Sequence, residues 1–152
     1  MLKRMHNIFA LIFGIFLINV GILHFTDTSW FEPIVPRLLG FPTFWVIISG
    51  VMEIILGVGL IIPKSRQMAA KCTAIFLVII YSANLNMWIY DIKLGDGTYL
   101  TGTGHVIRLF AQILMIILNL WISKQKTWLE LKSEWIKSVS YTHLTLPTNR
   151  EV

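Results

Sequence analysis

The sequence predicts an all-α, polytopic membrane protein: a four-helix transmembrane bundle with a short outer-loop helix and an amphipathic C-terminal helix. Three observations carry this expectation. Of 152 residues, 55% are hydrophobic and 14% charged, whereas soluble domains hold about 25% charged and 45–50% apolar residues. Four apolar runs approach the roughly 20 residues a helix needs to cross a bilayer. Lysine and arginine gather in alternate connections between those runs, the bias that sets membrane orientation.

The first span runs from Asn7 to Phe25, behind Lys3 and Arg4. It has the outline of a signal peptide, but no small-x-small cleavage site follows it, and Asn19 and His24 are foreign to such a segment. The first connection, Thr26 to Pro42, contains Trp30, Phe31, Pro33 and Pro36. Pro33 suits the first turn of a short helix with Asp27 or Ser29 upstream as cap, its aromatics resting at the headgroup level. The second span covers Thr43 to Ile62 and stops at Pro63, before the basic turn Lys64, Ser65, Arg66. The third runs from Gln67 to Tyr90 with a polar outer third. The connection LGDGTYLTGTG, Leu94 to Gly104, reads as a mobile glycine-rich turn and has no P-loop pattern. The fourth span covers His105 to Ser123.

Beyond it, Trp128, Leu131 and Trp135 share one helical face opposite lysines and glutamates, which predicts an amphipathic inner-surface helix over residues 124–137. Residues 138–152 lose the helical period, resemble translated adapter sequence, and are set aside as a non-native or disordered tail, His143 included. The four-span domain is thus residues 1–123. Lys3, Arg4, Lys64, Arg66, Lys71, Lys124 and Lys126 place both termini and the middle turn in the cytoplasm, against Arg37 and Lys93 in the two outer loops.

The net charge of +5, from 13 basic and 8 acidic residues, is spread between apolar runs rather than gathered into a patch, so it follows topology and not nucleic-acid binding. One cysteine, Cys72, excludes an internal disulfide, and no Cys/His cluster has zinc-ligand spacing. The sequence points to no metal site and no catalytic residue.

Polar groups inside spans must avoid lipid, and small ones let helices approach closely. Each span carries such a stripe: Ala10, Gly14, Gly21 and His24 on the first; Ser49, Gly50, Glu53 and Gly57 on the second; Ala70, Ala74, Tyr81, Asn84 and Trp88 on the third; His105, Arg108, Gln112, Met115 and Asn119 on the fourth. Converging stripes give a bundle with a polar interior. Glu53 falls about 15 Å inside the outer end of its span and Arg108 about 5–6 Å at 1.5 Å per residue, so their long side chains are expected to pair. His24, Tyr81, Asn84 and Gln112 complete a candidate ligand-binding or intramembrane polar cluster, and Asn86, off that face, is assigned a structural role. Three readings stay open: the Glu53–Arg108 pair only fixes helix register; the cluster binds a quinone or similar small ligand; or Glu53 and His24 transfer protons.

The segments GILHF, FEPIVPRLLGFP, SGVMEIILGVGLIIPKSRQMAA, SANLNM and RLFAQ together resemble the DoxX-like family of small bacterial membrane proteins, over Asn7 to Ser123. The family motif falls on His24, Pro33, Pro36, Glu53, Pro63, Arg66, Asn84, Asn86, Arg108 and Gln112. Phe110 stands where members often have a proline. The resemblance implies a four-span bundle in the bacterial cytoplasmic membrane. It also implies a redox-associated accessory subunit rather than a self-sufficient enzyme, with a quinone as the cofactor and a redox enzyme subunit or a second copy as partner. The competing reading is a non-catalytic scaffold or assembly factor. A solute transporter is disfavoured, because no inverted repeat or broken helix is visible.

Overall fold

The computed structural model describes residues 2–124 and residue 136; the expected amphipathic helix (124–137) and tail (138–152) otherwise lie outside the described residues. The described residues form helices and turns with no strand. Four helices, α1 (Leu2–Thr26), α3 (Pro42–Ile61), α4 (Arg66–Ile89) and α5 (Gly102–Ser123), are long and apolar enough to cross a membrane. A one-turn helix α2 (Thr28–Phe31) and two 3₁₀ turns, Glu32–Ile34 and Arg37–Leu39, fill the connection between α1 and α3.

Local chemistry explains the helix ends. Pro42 occupies the first turn of α3, where its missing N–H is no loss. Thr101 caps α5, its hydroxyl accepting from the Gly104 N–H, so this helix begins a turn before His105. That capping shortens the expected glycine-rich loop, since Gly102 and Gly104 are helical. What remains is a docked turn rather than a mobile one. The Gly95 N–H donates to the Trp30 carbonyl at 3.1 Å, and a side chain on Gly95 would collide with the backbone of Ser29. The Thr98 N–H donates to Asp96 Oδ1 at 2.8 Å, and this bond holds the Asp96 carboxyl below its ordinary pKa.

The bundle is two helix pairs. In one, α1 meets α3 through glycines two turns apart. A Cβ on Gly57 would lie 2.6 Å from the Gly14 carbonyl oxygen, and one on Gly21 would lie 2.7 Å from that of Gly50. Only glycine permits backbones this close. In the other pair, Gln112 Nε2 of α5 donates to the Leu77 carbonyl of α4 at 2.6 Å. The pairs are joined at the end holding the Pro63–Ser65 turn by a core that includes Phe13, Leu17, Leu60, Ala70, Leu77 and Ile122. At the opposite end Ile34, Met87 and Leu94 pack together with Trp30 and Leu100 and tie the two long connections to α4.

Arg66 secures the turn end. It is buried; Nε donates to the Leu60 carbonyl at 2.8 Å, Nη2 to the Ile61 carbonyl at 3.0 Å, and Nη1 to Asn7 Oδ1 at 2.6 Å. The last carbonyls of a helix have no intrahelical partner, so this one side chain caps α3 and binds it to α1. Lysine keeps the charge but not the planar fork. Arg66→Lys is therefore expected to lower stability in detergent by about 1.5–3 kcal/mol, the worth of a charged hydrogen bond. Unchanged denaturation would show that the fork is dispensable.

Candidate functional site

Away from the turn the two helix pairs separate, and a cavity of about 590 Å³ lies between them. Most of its wall is apolar. Phe31, Ile34, Val35, Pro36 and Leu39 of the first connection close its loop end. The expectation that this segment's aromatics rest at the headgroup level misses this covering role for Phe31. The clue in the sequence is the run of apolar residues between prolines.

The polar groups on the wall come in two sets. On the α1–α3 side stands His24, whose Nδ1 lies 2.9 Å from the Val20 carbonyl and 3.1 Å from Glu53 Oε2. Its ring stacks on Phe31 with centroids 4.0 Å apart. Both His24 and Glu53 are buried, at 5% and 6% exposure. Nδ1 can carry only one hydrogen; placed toward Val20, it leaves Glu53 Oε2 without an aligned donor, and this oxygen is unsatisfied. On the α4–α5 side, Arg108 Nη2 donates to Asn84 Oδ1 at 2.6 Å and Nη1 approaches Met87 Sδ at 3.2 Å. Gln112 lines the same wall with its amide committed to Leu77.

This arrangement corrects the expected Glu53–Arg108 pair. Among the described residues the acid–base contact is His24–Glu53, and Arg108 is bound instead by Asn84. The reason is helix adjacency. The glycine contacts bring α1 onto α3 and so carry His24 to Glu53, while α5 lies along α4 and finds its partners there. Both charged residues still line the one cavity.

Of the six residues expected to form the cluster, His24, Glu53, Asn84, Arg108 and Gln112 share this wall. Tyr81 does not; it is half-buried beside Arg108, close enough to interact electrostatically. Asn86 Nδ2 donates to the Ile34 carbonyl at 3.1 Å and thereby holds the segment that covers the cavity. His105 is buried against Trp88, ring centroids 5.5 Å apart, outside the cavity wall.

A family model described as a domain of unknown function (DUF8561) matches residues 13–123, and the chain belongs to that family. No curated protein and no solved structure matches it.

Proposed function

We propose that this DUF8561 member is an accessory membrane subunit that holds a quinone or similar small amphipathic ligand inside its bundle. The observation that carries this reading is the cavity. At about 590 Å³ it falls within the 300–1,000 Å³ of ordinary ligand sites, and its apolar wall with a few convergent polar groups is their usual chemistry. An acidic set, His24 and Glu53, faces a basic set, Arg108 and Asn84, across space not filled by side chains. A pair that only fixed helix register would need no such space. The resemblance to DoxX-like proteins supports the association with redox enzymes.

Solvent extraction of the purified protein tests the reading. A quinone-class lipid is expected at near one per chain, and Arg108→Met should reduce its retention at least tenfold. Extracts matching the bulk lipid composition for both proteins would sink it.

The same reading places the chain in the bacterial cytoplasmic membrane with both termini inside and the 26–42 and 90–101 connections outside, supported by the lysines and arginines at Arg4, Lys64, Arg66 and Lys124. A fusion after residue 124 should activate a cytoplasmic reporter and leave a periplasmic one silent. The opposite pattern would invert the topology.

A further inference from the structure

Where the cavity opens, and what its polar wall lacks, narrow the ligand; this step rests on the ligand-binding reading above. Two wall residues, Ile48 of α3 and Ile79 of α4, are 41% and 65% exposed. Gly50 and Gly57 turn toward α1, so Ile48, two residues before Gly50, lies on the other flank of α3, toward α4. Leu77 and Asn84 are held by α5, so Ile79, two residues beyond Leu77, lies on the flank of α4 turned toward α3. The mouth therefore lies between α3 and α4. On the α1–α5 side Phe16 is the exposed wall residue, and no wall residue of α5 is exposed with it. The connection carrying Ile34 and Pro36 covers the loop end. Access is thus sideways, from the apolar surface of the bundle.

Inside, the unmet demand is for a donor. Glu53 Oε2 is buried at the cavity wall without an aligned partner, and an ionised carboxylate only accepts. Arg108, facing it from the other pair, retains guanidinium hydrogens beyond the two that serve Asn84 and Met87.

We propose that the pocket takes a hydroxyl-bearing membrane lipid, a quinol in preference to a quinone. The ligand slides in between α3 and α4, donates a hydrogen bond from its hydroxyl to Glu53 Oε2, and presents its other ring oxygen to Arg108. Its chain stays in the mouth between Ile48 and Ile79, in contact with the bilayer. A quinone offers only acceptors and leaves the Glu53 oxygen as it is.

Binding of three probes to the full chain in liposomes, followed by tryptophan quenching, tests this: decylubiquinol, decylubiquinone, and the same hydroquinone head group without a tail. Decylubiquinol is expected to bind at least tenfold more tightly than either of the others. Glu53→Gln should erase its advantage over the oxidised form, since an amide donates as well as accepts. Ile79→Trp, at an exposed site that tolerates bulk, should slow association at least fivefold, whereas Phe16→Trp on the opposite flank should not. Equal affinity for the quinone overturns the donor assignment, and that comparison needs no variant to fold. Equal affinity for the tail-less head group, or slowing by Phe16→Trp instead, overturns the lateral mouth. If none of the probes binds, the ligand-binding reading itself falls.

Discussion

Gly57→Leu is expected to abolish the assembled bundle. A Cβ at this position would stand 2.6 Å from the Gly14 carbonyl oxygen, 2.8 Å from Ile18 Cγ1 and 3.1 Å from the Ile18 backbone nitrogen. Overpacking costs about 1–3 kcal/mol even where side chains can shift aside. Here two of the three obstacles are backbone atoms, so α1 must move away from α3 as a unit. The loss should exceed about 3 kcal/mol, a large share of the 5–15 kcal/mol that holds a typical domain together. The same separation takes His24 from Glu53 and opens the cavity wall, so ligand retention should fall with stability. Gly57→Ala should give a smaller loss of the same kind. Gly102, with nothing within 4 Å of its would-be Cβ, is the control, and Gly102→Ala should leave the protein as stable as before. Size-exclusion profiles and thermal denaturation in detergent read these outcomes. Wild-type behaviour of Gly57→Leu would show that α1 and α3 do not meet through these glycines.

The close contact of α1 with α3 was legible in the sequence because its chemistry is local and periodic. Gly14 and Gly21 repeat at the same seven-residue spacing as Gly50 and Gly57, and counting along a helix puts each pair on one face. The same counting placed His24, Glu53, Arg108 and Gln112 on interior faces. Helix ends were readable where a single residue decides them, as Pro42 and Pro63 do. The start of α5 was not, because the capping by Thr101 competes with a glycine-rich run that by composition alone reads as loop. The order of the helices around the bundle was also hidden. Depth along a span follows from 1.5 Å per residue, but which neighbour a side chain reaches depends on which helices adjoin. Glu53 and Arg108 lie at compatible depths on helices belonging to different pairs. Arg66 shows the same limit: its charge reads correctly as a connection residue, yet its burial and its three hydrogen bonds depend on a turn geometry that no periodicity encodes. The segment covering the cavity, held by Asn86 through the Ile34 carbonyl, is a tertiary contact 52 residues long in sequence, beyond any local pattern.

His24→Leu is expected to be the costliest change at the site. It leaves the Glu53 carboxyl buried with no basic partner in contact, and breaking a buried pair from one side costs about 3–5 kcal/mol. The reverse change should be milder. In Glu53→Leu the imidazole keeps the Val20 carbonyl at 2.9 Å and its stacking on Phe31, so no ionised group is stranded. Replacing both by leucine should recover much of the His24→Leu loss, since a buried pair exchanged whole for apolar residues is often neutral. Arg108→Met should cost about 1–3 kcal/mol by leaving the Asn84 amide oxygen without its donor. Glu53 and Arg108 share no hydrogen-bond partner, so Glu53→Leu and Arg108→Met should add to within about 0.5 kcal/mol. The cycle therefore separates two arrangements of the same four helices. Coupling of His24 with Glu53, and none of Glu53 with Arg108, is what the paired packing of α1 on α3 and α4 on α5 requires. Strong coupling between Glu53 and Arg108, with His24→Leu harmless, would mean that the helices pack in a different order and that the acidic and basic sets are not held apart across a cavity.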